Sequence, residues 1–185
     1  MLFNRTSLMY VAVSLLMLAG TPTFAQSPSS EDKAATPPAS KVYKSAAEPV
    51  AVSFDGKKWK IGYHQESDDQ RIAEWVVDGQ SVDDWSELVT EQFFPLPDSA
   101  VTPKQFLSSL IKEIEEMDGQ HKVVSESPEE VILQVEYTKG GDEYGLHRYW
   151  TGPKGVHCVQ YAQKTPIAKE QRDRWIALLK SAHVE

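Results

Sequence analysis

The chain has 185 residues, of which 19 are basic and 27 acidic, giving a formal net charge of -8, and it contains one cysteine. Strong nucleic-acid binding and attraction to anionic membranes both call for a basic excess, so neither is an expected partner. A lone cysteine closes no intramolecular disulfide, so the fold must rest on its hydrophobic core.

Arg5 is followed by an uncharged apolar run, Leu8 to Gly20, and then by Thr21-Pro22-Thr23-Phe24-Ala25. These are the charged, apolar and small-residue regions of a cleavable export signal. The apolar run of 13 residues falls short of the roughly 20 that a spanning helix needs, so no stable membrane span is expected after processing. Thr23 and Ala25 supply the small side chains a signal peptidase requires, which puts cleavage between Ala25 and Gln26. Leu18-Ala19-Gly20 resembles the start of a lipid-attachment box, but the next residue is Thr21, which has no thiol to lipidate. Removing residues 1–25 takes Arg5 from the basic count and leaves 18 basic against 27 acidic side chains, a formal charge of -9 on a protein destined for the periplasm or for secretion.

Residues 26–49 are dominated by Ser, Ala, Pro, Lys and Glu, with Val42 and Tyr43 as the large apolar exceptions. Such a segment buries too little surface to offset its ordering entropy and is expected to be a disordered tether. Residues 50–185 have the size of one domain. Val50 to Phe54 and Lys58 to Gln65 flank Asp55-Gly56-Lys57 and read as a hairpin; Arg71 to Val77 is a third strand, closed by Asp78-Gly79. Ser81 is placed to cap a short helix with Trp85, Leu88 and Val89 on one face. A second helix has Thr102 as N-cap, Pro103 at its first position, and Phe106, Leu107, Leu110, Ile111, Ile114 and Met117 as its apolar stripe. Asp118-Gly119 ends it. His121 to Glu126, Val131 to Thr138, Tyr144 to Thr151 and Val156 to Lys164 then form an antiparallel meander separated by Ser-Pro, Gly-Gly and Gly-Pro-Lys-Gly turns. Thr165-Pro166 starts a last helix, with Trp175, Leu178, Leu179 and Ala182 facing inward. The expected class is α+β, an antiparallel sheet of about six or seven strands flanked by helices.

The segment from Glu74 to Thr90 (EWVVDGQSVDDWSELVT) carries a strand, a Gly-Gln turn and a helix bearing a tryptophan. In this it resembles small exported bacterial domains of the PsbP-like type. The resemblance implies an α/β/α sandwich and an accessory or assembly role without catalysis, and it transfers no functional residue.

The chemistry-bearing residues form few patterns. His64, His121, His147, His157 and His183 show no metal-ligand spacing, and the acids of Asp83-Asp84-Glu87 and Glu113-Glu115-Glu116-Asp118 lack the EF-hand pattern, so no metal and no cofactor are expected. No nucleophile elbow or phosphate-cradling glycine loop is present, and no catalytic residue is assigned. Cys158, in an apolar-aromatic run, reads as a buried thiol. A turn centred on Pro153-Lys154 would set Trp150 opposite His157 and Arg148 opposite Val159, placing Arg148, Trp150, His157 and Tyr161 on one hairpin face as a candidate ligand-binding surface. The leading expectation is an exported, non-enzymatic accessory protein binding an envelope protein or component through a sheet edge or exposed aromatic patch. The alternative is a small-ligand binder or hydrolase with its cleft between sheet and helix.

Overall fold

A computed structural model describes residues 50–51, 54–68, 70–96, 103–139, 142–152 and 154–184. The expected signal peptide and tether, the expected Ala25–Gln26 cleavage junction and Thr102 cap, the Gly140-Gly141 turn signal and Pro153 lie outside the described residues. In chain order the elements are β1 (Val50–Ala51), β2 (Trp59–Glu66), β3 (Arg71–Val77), β4 (Glu87–Pro95), α1 (Pro103–Glu116), β5 (Gly119–Glu126), β6 (Glu130–Tyr137), β7 (Glu143–Gly152), β8 (Gly155–Gln163), α2 (Lys169–Ser181) and β9 (His183–Val184).

Seven strands form one antiparallel sheet in the order β2-β3-β4-β8-β7-β6-β5. Two meanders, β2 to β4 and β5 to β8, are joined by the β4–β8 pairing, so β4 and β8 are both interior strands. The β7–β8 register is the expected one, with Trp150 opposite His157 and Arg148 opposite Val159.

The helices cover opposite faces. Along β7, side chains alternate between the faces. Tyr149 joins the cluster built on Phe106, Leu107, Leu110 and Ile114 of α1, with Leu133, Val135 and Cys158 beneath. Leu146 and Trp150 join the cluster built on Trp175 and Leu179 of α2, with Val89, Val159 and Tyr161. Each large side chain withdrawn from water in these layers contributes about 1.5–3 kcal/mol before entropy is charged against it. The α1 stripe is thus buried as its spacing predicts, with Ile111 and Met117 half-buried at its margin.

Three expectations require correction. Val50–Ala51 does not form a hairpin with β2; it pairs with His183–Val184 in a separate two-stranded ribbon. The turn chemistry at Gly56 is nevertheless as read, with φ +88°. This turn is pinned to the sheet instead: Lys57 Nζ meets Glu87 Oε1 at 2.5 Å, and Trp59 Nε1 donates to Asp55 Oδ1 at 3.0 Å.

No helix follows Ser81. Ser81 and Asp84 exchange backbone hydrogen bonds of 3.2 Å across a tight turn, and Glu87–Pro95 is a strand. Leu88 packs with Trp85 and Val76 on one face of that strand while Val89 packs under α2 on the other. A strand covered on both faces shows no alternation, and its i, i+3, i+4 apolar residues imitate a helix.

Helix α2 starts at Lys169 rather than at Thr165-Pro166. The carbonyls of Thr165 and Pro166 accept from Gln163 Nε2, at 2.8 and 3.2 Å, and this holds the segment as a loop; Ala168, at the N-cap, makes no side-chain cap bond. No described helix is long and apolar enough to cross a membrane.

Candidate functional site

The hairpin β5–β6 turns at Ser127-Pro128, immediately before the Glu130 that opens β6. Ser127 Oγ fixes the turn, accepting from the backbone N–H groups of Glu129 and Glu130 at 3.3 and 3.1 Å. Because α1 lies across β5 and β6, its first turns and this hairpin end bound a groove of about 630 Å³, lined by Lys104, Leu107, Glu126, Ser127, Pro128, Glu130 and Val131. Leu107 and Val131 belong to the buried core and form the apolar floor. Lys104, Glu126, Ser127 and Pro128 are exposed and form the rim. The volume is that of ordinary ligand sites.

The four residues singled out from the sequence lie elsewhere, beneath α2. Arg148 is buried, and its guanidinium donates from NH1 to the carbonyls of Leu179 and Ala182, at 2.7 and 2.6 Å. Those carbonyls belong to the end of α2, where acceptors run short of backbone donors: Leu179 O takes the Ala182 backbone N–H at 3.2 Å, and Arg148 adds a further donor. Nε and NH2 of the same guanidinium meet Glu130 Oε2 at 2.8 and 2.7 Å, and its carbon sits 4.3 Å from the Trp150 ring centroid.

Trp150 stacks on His157 at 5.3 Å, and His157, fully buried, lies 4.7 Å from Phe93. Arg71 follows over the outer face of Phe93, so strand register lines up Arg71, Phe93, His157 and Trp150 across β3, β4, β8 and β7. Tyr161 stacks on Trp175 at 3.9 Å. Its hydroxyl lies 2.9 Å from Glu87 Oε2, 2.7 Å from Gln163 Oε1 and 2.6 Å from Gln171 Nε2. Burial, reinforced by the Glu87 carboxylate, drives its pKa far up, so it remains a neutral phenol. Arg148, Trp150 and His157 are therefore brought together as one stack and Tyr161 sits further along β8; none of them lines the groove.

A second polar cluster occupies the α1 face. Gln160 Nε2 lies 3.3 Å from Gln92 Oε1, Tyr149 Oη and Cys158 Sγ, and His147 Nδ1 lies 3.2 Å from the same Tyr149 hydroxyl. Burial pulls the His147 pKa down to about 4 and pushes the Cys158 thiol up to about 12, against the weaker pull of its bonds to Gln160 and Tyr149. At neutral pH this is a neutral imidazole beside a thiol, with no thiolate to act as nucleophile. Among the described residues no group of three His, Cys, Asp or Glu side chains is placed to hold a metal ion.

A protein-family model matches residues 46–184. The chain belongs to that family, which is uncharacterised. Neither the comparison with curated proteins nor that with solved structures gives a match. The matched span takes in every element of the described fold, the groove included.

The sequence marked Ser127-Pro128 only as a turn and Lys104 only as part of a helix. The signal that would have found the groove is a conjunction. A Ser-Pro turn with Glu126 and Glu130 on either side closes a hairpin, and that hairpin follows directly on the helix with the strongest apolar stripe.

Proposed function

We propose that this is an exported, non-enzymatic accessory protein of the periplasm or secreted space that binds another protein or an envelope component. Export is supported by the Arg5, apolar-run and Ala25 signature. The groove carries the binding reading, because it joins an apolar floor to an exposed polar rim at one end of the sheet. It is favoured over the sheet edges. Both edge strands bear a register shift, at Ile61/Tyr63 in β2 and at Val123/Ser125 in β5, and each carries a lysine, Lys60 and Lys122. Bulges and lysines are the devices that blunt an edge against strand addition. An exposed aromatic patch is not favoured either: the large hydrophobics exposed among the described residues are Ile61, Val123 and Val124. The PsbP-like relationship is proposed on the same footing. Helices on both faces of an antiparallel sheet support it, although the segment Glu74 to Thr90 that carries the resemblance runs strand, turn, strand.

The test is site-specific photo-crosslinking in the envelope of the native host, with the photoreactive residue at Ser127 in the full precursor and, as comparator, at Ile61. One discrete adduct from Ser127 and none from Ile61 is expected. Adducts of equal yield from both sites, or from neither, would sink the proposal. The groove's volume also supports a second reading, a small-ligand binder with its cleft between helix and sheet. Native mass spectrometry of the purified protein checks it through a retained small mass that is lost in the Pro128→Arg variant. A hydrolase gains nothing from the groove, where Ser127 Oγ is committed to the turn.

A further inference from the structure

The α1 side of the sheet is not apolar throughout. Helix α1 packs on β5, β6 and β7 and meets β4 near its end, where Phe106 lies against Phe94. Further along the same face, strand register sets Glu74, Thr90, Gln160 and His147 side by side across β3, β4, β8 and β7. Thr90 and His147 are each 6% exposed, and Gln92, in the next row, is 8% exposed. Gln160 is half-buried between them.

The hydrogen bonds inside this row decide which atoms are left over. Gln160 Nε2 donates to Gln92 Oε1 and to the Tyr149 hydroxyl, so Gln92 keeps Nε2 as a donor and Gln160 keeps Oε1 as an acceptor. The Tyr149 hydroxyl, accepting from Gln160, has its own proton for His147 Nδ1 at 3.2 Å, which puts the imidazole proton on Nε2. Gly145 leaves room for that edge of the ring, since a Cβ there would stand 2.6 Å from Nε2. Among the described residues Thr90 Oγ1, Gln92 Nε2, Gln160 Oε1 and His147 Nε2 find no partner, although buried polar groups are seldom left without one. All four are uncharged at neutral pH, burial holding the imidazole neutral.

We propose that this row binds a neutral, hydroxyl-rich ligand of the chemistry of a sugar unit. Each hydroxyl both accepts and donates, so such a ligand answers the Gln92 and His147 N–H groups as acceptor and Gln160 Oε1 as donor, with Thr90 taking either part. Neighbouring strands lie about 4.8 Å apart, the scale on which a sugar ring spaces its alternate hydroxyls. An anion would meet no cation in the row and a carboxylate, Glu74, at its end. A peptide strand would seek the main-chain groups of a sheet edge, which a row across interior strands does not offer. This site is separate from the groove at the β5–β6 turn and does not depend on it.

The experiment is a nuclear magnetic resonance titration of the purified, processed, isotope-labelled protein with glucose, with cellobiose and with glucuronate as the anionic counterpart. Glucose is expected to give saturable shifts of the Gln92 and Gln160 side-chain amide signals and of the His147 ring signals, and to bind at least tenfold more tightly than glucuronate. Thr90→Val keeps the shape of the side chain and removes its hydroxyl; with its fold checked by circular dichroism, it should weaken glucose binding about tenfold, the loss of a single hydrogen bond. Tighter binding of cellobiose than of glucose assigns the site to a sugar chain, and equal binding assigns it to a free sugar. No saturable shift with either neutral sugar, shifts confined to residues outside the row, equal binding of glucuronate, or undiminished binding by folded Thr90→Val would each overturn the proposal. The wild-type shift map decides even if the variant fails to fold. The Ser127 crosslink reads the groove alone, so failure of that reading and failure of this one are seen separately.

Discussion

Removal of the Arg148 side chain is the sharpest test of how the core is organised. Arg148→Ala withdraws two charge-assisted hydrogen bonds from the carbonyls of Leu179 and Ala182, leaves Glu130 without its cation, and strips a cation from the face of Trp150. Hydrogen bonds to charged groups are each worth about 1.5–3 kcal/mol, and breaking a buried ion pair costs about 3–5 kcal/mol. These figures are not additive, and the quarter exposure of Glu130 discounts the ion pair, so the expected loss is about 3 kcal/mol. With a urea m-value of about 2 kcal/mol per molar, the unfolding midpoint should fall by about 1.5 M. Arg148→Lys keeps a charge but not the fork that reaches a carboxylate and two carbonyls together, so it should recover less than half of the loss. A double-mutant cycle with Glu130→Gln should give a coupling of about 1–2 kcal/mol. Were the Arg148→Ala midpoint to stay within about 0.3 M of wild type, Arg148 would not be the C-terminal anchor of α2. It would then regain standing as a residue held for a ligand, since such residues are often removed without loss of stability.

Burial depresses the His147 pKa to about 4 from its ordinary 6.5, so the unfolded chain binds the extra proton first. Stability is therefore full above pH 6.5 and lost as pH falls toward 4, by about 2–4 kcal/mol, and urea midpoints across that range should show the slope, flattened in His147→Gln. Glu113 works in the opposite sense: burial, with Glu116 beside it, raises it from 4.5 to about 7, so its contribution declines as pH rises between those values. Glu113→Gln should consequently raise the midpoint at pH 7.5 and leave the acid-side slope steeper. Cys158, fully buried with its thiol pushed up to about 12, should resist a thiol reagent at pH 8 in the folded protein and react at once in denaturing urea; comparable rates in both would contradict the packing. Gly155→Ala would drive a Cβ into the Phe94 carbonyl at the start of the β4–β8 ladder, and a loss of more than about 3 kcal/mol, or failure to accumulate folded protein, is expected.

Local periodicity carried some elements of this fold and misled on others. The α1 stripe was legible from its apolar spacing, and the β5 to β8 meander from the Ser-Pro, Gly-Gly and Gly-Pro-Lys-Gly signals between its strands rather than from alternation, since β7 and β8 are buried along both faces; the β7–β8 register followed from one turn. The count of seven strands agrees with the sheet, but its membership does not. The strand expected at Val50 pairs outside the main sheet, and β4, expected as a helix, takes its place. The causes differ. β4 is covered on both faces, so burial erased the alternation that identifies a strand. β1 finds its partner in two residues at the far end of the chain, a pairing that no local pattern encodes.

The same distinction explains the site. The sequence placed Arg148, Trp150, His157 and Tyr161 on one face of a hairpin, and they do share it. A mixed aromatic and charged surface is a pocket only if nothing lies on it, and what lies on this one is α2, whose Trp175 and Leu179 land there. The polar groups that made the face look functional are what allow a helix to be buried on it, Arg148 for two carbonyls and the neutral Tyr161 hydroxyl for a knot of carboxylate and amides. The groove drew no notice because Lys104, Leu107, Ser127 and Pro128 are ordinary residues until α1 and the β5–β6 turn are brought together. Glu130 borders the groove by its place at the start of β6, next to Val131, while its carboxylate turns to the opposite face of the sheet to hold Arg148.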